Sequence, residues 1–293
     1  MSKVKTVLFP GGEWVYLKIY TGFVTSDAIL ASEVYTIVKK LYKERIIRSF
    51  FFIRYTDPDY HLRVRFLINN NKDIGRVVVV FYQRLQKAIK DSKVWKVQID
   101  TYMREINRYH PKLINYAEEY FCIDSRRIIK LIQEFNVFKQ DRLRWVIALY
   151  LIDDFLNNMK WSLLGKHRLL SELSDSFKKE FGFNEFNSKQ FNAKYRANKD
   201  IIESILNRKV REGEVLRLTE IVNMYSEEIQ PLFNNIISIA LKNKIDLRSF
   251  IVSCLHMTIN RLFRTQNRLY ELLIYEFMRR YYSSAIARNN VQS

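Results

Sequence analysis

A chain of 293 residues, 48% apolar and 14% aromatic, carries enough hydrophobic bulk for a real core, which excludes global disorder. Its 49 Lys and Arg against 31 Asp and Glu give a formal net charge of +18, a field that attracts anions without choosing among nucleic acid, acidic protein and acidic peptide. Cys122 and Cys254 form neither a disulfide framework nor a spaced metal motif, and no apolar run suits a signal peptide or a membrane span, so a reducing cytoplasm is the expected compartment, with no membrane insertion.

Residues 14–20, WVYLKIY, alternate as a strand does. Asp27 is the expected N-cap of a helix over 28–45, whose Ile29, Leu30, Val34, Ile37, Val38 and Leu41 recur at helical spacing. Strands over 50–55 and 62–68 flank TDPDYH, which has turn chemistry, so the pair reads as a hairpin with a loop of about six residues. A helix over 73–90 and a strand over 95–102 follow. After Pro111 the pattern turns helical over 112–121, 124–135 (capped by Asp124 or Ser125) and 140–160. The asparagine-rich 182–199 is a loop or a short helix, Gly213 is a break, and helices resume over 215–243, 246–264 and 267–288. The expected fold is α+β: a strand-bearing N-terminal third (14–102) with an antiparallel hairpin, packed against a largely helical remainder (112–288), in one domain over 1–293.

Three stretches hold candidate chemistry. In the strand HLRVRF, alternation points His61, Arg63 and Arg65 one way and Leu62, Val64 and Phe66 the other. Such a row suits two-pronged recognition of a carboxylate or phosphate, or is simply a solvated sheet face. Arg54 lies on the facing strand, its side undetermined without the register. In DTYMREINRYHPKL, Arg104 and Arg108 are four apart, so a helical turn stacks them on one face, with Glu105 on another, calling for a ligand anion or an internal acid. In DLRSFIVSCLHMTINRLF, Asp246 is an N-cap candidate and one stripe reads Ser249, Ser253, His256, Asn260, which leaves room above a histidine able to move a proton near neutral pH.

The stretches SFFFIRYTDPDYHLRVRF, WKVQIDTYMREINRY, YFCIDSRRI and CLHMTINRLF, in this order, resemble the C-terminal domain of lantibiotic dehydratases, which also occurs alone as the thiopeptide-type bacteriocin biosynthesis protein. The resemblance runs from about Trp14 to Phe263. It implies glutamate elimination: glutamylated Ser or Thr of a precursor peptide loses an α-proton and glutamate, giving dehydrobutyrine from Thr and dehydroalanine from Ser. On this resemblance Arg63, Arg65, Arg108 and His256 form the catalytic set; Arg54, His61, Tyr109, Asn260 and Arg261 are the expected substrate-binding residues. His256 is either the base or an acid, and Tyr102 and Tyr109 are further proton-transfer candidates. No cofactor and no metal is implied. The expected partners are the precursor peptide and a separate glutamylating protein, with no direct tRNA contact here, because the chain is too short for the glutamylation domain. One departure is RYHPKL, where the family usually follows RY with two glycines. The alternatives are a thiopeptide pyridine synthase, which joins two dehydroalanines by [4+2] cyclisation and is expected to lose the glutamate-handling set, and a non-catalytic peptide-binding subunit that uses an exposed strand edge. Nucleic-acid binding is invited by charge alone, without a motif.

Overall fold

Alternation in WVYLKIYT and HLRVRFLI sets the architecture, because each strand offers one apolar face and one face of tyrosine and basic side chains. The computed structural model describes residues 4–292. In chain order, β1 (Val7–Leu8) and β2 (Trp14–Thr21) precede α1 (Thr25–Ala28), which continues through a π-helical stretch (Ile29–Val34) into α2 (Tyr35–Lys43). The hairpin of β3 (Ile47–Tyr55) and β4 (His61–Ile68) follows, then α3 (Ile74–Lys90), β5 (Val94–Ile99), β6 (Tyr102–Met103) and the single turn α4 (Ile106–Tyr109). The remainder is helical: α5 (Ile114–Phe138), α6 (Arg144–Asn158), α7 (Leu163–Glu180), α8 (Glu185–Ala197), α9 (Lys199–Leu206), α10 (Gly213–Asn243), α11 (Arg248–Leu262) and α12 (Asn267–Gln292). The strand-rich N-terminal region and helical C-terminal region of the expected α+β class are both present. Among the described residues no helix is long and apolar enough to cross a membrane.

The chain divides into two compact units, Met1–Glu134 with Asn235–Thr265, and Phe135–Asn234 with Gln266–Ser293. The first unit holds an antiparallel sheet in the order β3-β4-β2-β5 and a small β1-β6 pair. On one sheet face Leu17, Ile19, Phe50, Phe52, Leu62, Val64 and Phe66 are buried, with Phe50 against Tyr42 of α2 and Phe66 edge-on to Phe81 of α3. The register pairs Tyr16 with Arg65, Lys18 with Arg63 and Tyr20 with His61 on the other face. The second unit is all helical. Its α6 is buried nearly all round, and Phe155 meets Phe233 edge-on at 4.9 Å.

Several local expectations need correction. Asp27 does not cap a helix: Val24 holds that position, and Asp27 lies inside the first turn, buried against Arg54 and Arg264. The helices expected over 112–121 and 124–135 are one, α5, in which Asp124 and Ser125 sit fully buried mid-helix. Asp124 pairs there with Arg127 and Arg261, and Ser125 accepts the Phe52 N–H, so both good capping types serve tertiary partners instead. The strand expected over 95–102 divides into β5 and β6, because Tyr102 turns away to pair with Leu8. Arg104 precedes α4 and does not stack on Arg108: it forks onto Glu118, at 2.7 Å from both Nε and Nη2. Glu105, expected on another face, pairs with Arg108 at 3.0 Å.

Candidate active site

The two outer strands of the four-stranded sheet are treated differently, and one of them explains three candidate residues. Antiparallel pairing leaves alternate N–H and C=O groups of an edge strand pointing outward. On β3 these include the groups of Phe52 and Arg54, which helix side chains satisfy. The Asn260 amide accepts the Arg54 N–H and donates to the Arg54 C=O, both at 2.9 Å. Arg261 donates Nε to the Phe52 C=O at 2.8 Å, pairs with Asp124 and lies over the Phe121 ring. The register puts Arg54 opposite Leu62, on the apolar face. Its guanidinium, 2% exposed, is taken up by Asp27, Ser26, Tyr60 and the Arg261 carbonyl. Asn260, Arg261 and Arg54 thus carry internal bonds across about 200 residues of sequence.

The basic face of the sheet forms one wall of a cleft of about 430 Å³, lined by Arg63, Arg65, Lys18, Arg108, Tyr109 and His256 among others. The row on β4 and the α11 histidine therefore meet in one cavity within the first unit. His61 is fully buried behind it. Its Nδ1–H donates to the Asp59 carbonyl at 2.7 Å and Nε2 accepts the Arg63 Nε–H at 3.1 Å. Burial lowers the His61 pKa, against the opposing pull of that carbonyl, and so favours this neutral tautomer. His61 positions Arg63, whose guanidinium lies flat on the Tyr55 ring, 3.3 Å from its centroid.

Arg65 is 6% exposed and sits 4.4 Å from the Tyr16 centroid, 4.5 Å from that of Tyr102 and 5.2 Å from that of Phe51. Its Nε has no hydrogen-bond partner. Among the described residues neither Arg63 nor Arg65 has a carboxylate within ion-pair distance, whereas Arg54, Arg104, Arg108 and Arg261 each do. Burial pushes the Arg65 pKa down, yet a guanidinium stays charged at neutral pH. A buried cation without a counter-charge is costly, so the arrangement suits an incoming anion.

Two tyrosines lining the cleft, Tyr102 and Tyr109, are held protonated. Burial pushes Tyr102 well above its ordinary value, and its hydroxyl donates to Glu118 at 2.8 Å. Burial does the same to Tyr109, packed edge-on to Phe121 and Phe250. Arg108 reaches the cleft from α4, half exposed and bound to Glu105. Its carbonyl accepts from Ser249. The RYHP departure places His110 at φ +64°, where glycine is the ordinary occupant, and its Nδ1 accepts the Lys112 N–H. Tyr16, Lys18 and Tyr55 were not among the expected site residues. The alternation of WVYLKIY carried the signal for the first two, since it sets Tyr16 and Lys18 on one face.

The model of the lantibiotic biosynthesis dehydratase C-term family matches residues 14–282, and the chain belongs to this family. The subtilin biosynthesis protein SpaB of Bacillus subtilis is 25% identical over 276 residues, which cover 90% of this chain and 25% of SpaB, so the chain spans about a quarter of that relative. The fold matches the tRNA dependent lantibiotic dehydratase MibB from Microbispora sp. 107891 with a TM-score of 0.70 at 19% identity, covering 92% of this chain and 28% of MibB. It also matches the pyridine synthase TbtD from thiomuracin biosynthesis, with a TM-score of 0.66 at 10% identity, covering 93% of this chain and 99% of TbtD.

Proposed function

We propose that the chain is a lyase that removes glutamate from glutamylated Ser or Thr of a ribosomally made precursor peptide, leaving dehydroalanine or dehydrobutyrine. The observation that carries this reading is the pair of cleft arginines, Arg63 and Arg65, without carboxylate partners, in the same cavity as His256. A glutamyl ester brings one free carboxylate and releases a second. Two guanidiniums hold such groups through paired hydrogen bonds and favour the charge that builds on the departing oxygen. A base takes the α-proton, the Cα–Cβ double bond forms, the Cβ–O bond breaks and glutamate leaves as a carboxylate. With His61 locked behind Arg63 and the two tyrosines held protonated, His256 is the proton acceptor of this scheme. Arg108 lies at the mouth and steadies the peptide.

The second reading is [4+2] cyclisation on the same fold, favoured by the likeness to TbtD over nearly its whole length. Mass spectrometry separates the two. Mixed with a glutamylated precursor and no added cofactor, the protein should release glutamate and leave a dehydro residue at each glutamylated site. An unchanged glutamylated mass, or ring formation from a pre-dehydrated peptide alone, would contradict the elimination reading.

A further inference from the structure

The outer edge of β5 is open where that of β3 is closed. Asp100 donates its N–H to the Tyr16 carbonyl, and the register steps back from there through Gln98 with Lys18 and Lys96 with Tyr20. The alternation therefore directs the N–H and C=O groups of Val97 and Ile99 outward. No described residue bonds to that edge. The side chains beside it are apolar and exposed: Trp95 by 55%, Val97 by 40% and Ile99 by 49%. They lie on the sheet face covered by α3, which packs against β5. On α3, Arg76 and Arg84 pair with Glu44 and Glu33 and so mark the flank turned toward α2. At 100° per residue, Tyr82 and Ile89 fall on the opposite flank, toward the open edge, and both are exposed.

Edge strands that only guard against aggregation are short, or carry charge in place of large apolar side chains. Here three large apolar residues, Trp95, Val97 and Ile99, alternate with Lys96 and Gln98. We propose that the β5 edge and the adjoining flank of α3 dock an extended, acidic segment of the precursor peptide as a fifth strand of the sheet. Main-chain bonds to Val97 and Ile99 supply the pairing, and alternate apolar side chains of the peptide pack on Trp95 and Tyr82. Two observations favour this occupant over a second copy of the chain. Lys93 and Lys96 flank the edge, against Asp91, which Lys93 already pairs, and Asp100, which Lys18 pairs. The strand also leads into Asp100 and Thr101, which line the cleft, so a peptide paired along β5 runs on toward Arg63 and Arg65. The choice of precursor as occupant rests on the elimination reading.

Fluorescence anisotropy tests docking without turnover. The probe is a fluorescein-labelled ten-residue peptide of alternating glutamate and valine, and the control alternates lysine and valine. The glutamate peptide should bind and the lysine peptide should not. Ile99→Lys and Val97→Pro should each weaken binding at least tenfold. Proline at Val97 removes only an outward N–H, and circular dichroism confirms that the variant folds. No binding, equal binding of both peptides, or unchanged binding by both variants overturns the proposal. So does a wild-type dimer that Ile99→Lys converts to monomer by gel filtration, since the edge is then occupied by a second copy. A protein that binds the probe but never releases glutamate contradicts the catalytic reading alone.

Discussion

Arg65 separates stability from function at a single residue. Its guanidinium is buried among Tyr16, Tyr102 and Phe51 with no carboxylate beside it. Replacing even a buried ion pair by apolar side chains of similar volume is often neutral or stabilising by ~1–4 kcal/mol, and Arg65 lacks the carboxylate that would offset its desolvation. Arg65→Met should therefore keep or raise the thermal midpoint while glutamate release falls at least a hundredfold. Thermal unfolding and a mass-spectrometric time course on one preparation check both halves, and a folded variant with normal turnover removes Arg65 from the site. His110 makes the opposite case. Its φ of +64° is a glycine conformation, and non-glycine residues there store about 1–3 kcal/mol. His110→Gly, less its bond from the Lys112 N–H, should raise the midpoint by a few degrees; a lower midpoint shows that the imidazole contact outweighs the strain. Alternation alone made the face of Arg63 and Arg65 legible. Their lack of acid partners was not, because that depends on where Glu105 and Glu118 turn, and both serve other arginines.

Elements show which parts of the site could not be read locally. The hairpin was legible because its two apolar runs flank a turn-rich stretch, and the observed strands extend the expected ones by a few residues. α5 was not legible as one helix, since Asp124 and Ser125 look like a cap until their distant partners Arg261 and Phe52 are known. The same holds for Asn260 and Arg261: beside His256 in sequence they resemble site residues, and both also close the outer edge of β3, with Asn260 lining the cleft as well. Asn260→Ala strips partners from a main-chain N–H and C=O at that edge and should cost roughly 1–3 kcal/mol. Chemical denaturation measures this as a lower midpoint at unchanged slope. A variant as stable as the parent would show that water satisfies the edge.

At the scale of the whole molecule, each compact unit carries its own charge logic. In the helical unit Glu276 is fully buried. Burial works to raise its pKa, but hydrogen bonds from Arg279, Lys178, Ser174 and Arg280 outweigh burial and hold it at about 2. A folded pKa below the unfolded value of 4.5 means stability that is complete above that value and lost as pH falls toward about 2, worth roughly 3 kcal/mol. Glu276→Gln should flatten this part of the acid-stability profile and lower stability at neutral pH; an unaltered profile would remove Glu276 as its source. In the strand-bearing unit Arg54, Arg104 and Arg261 are likewise paired, but among the described residues Arg63 and Arg65 have no acid at ion-pair distance, and the proposed chemistry depends on that contrast. The most direct measurement is a crystal structure with a peptide whose glutamyl group is linked by an amide, so that it cannot leave. A glutamyl carboxylate is expected within about 3 Å of the Arg63 or Arg65 guanidinium, with the peptide α-carbon facing His256. A glutamyl group bound elsewhere, in contact with neither guanidinium, would contradict it.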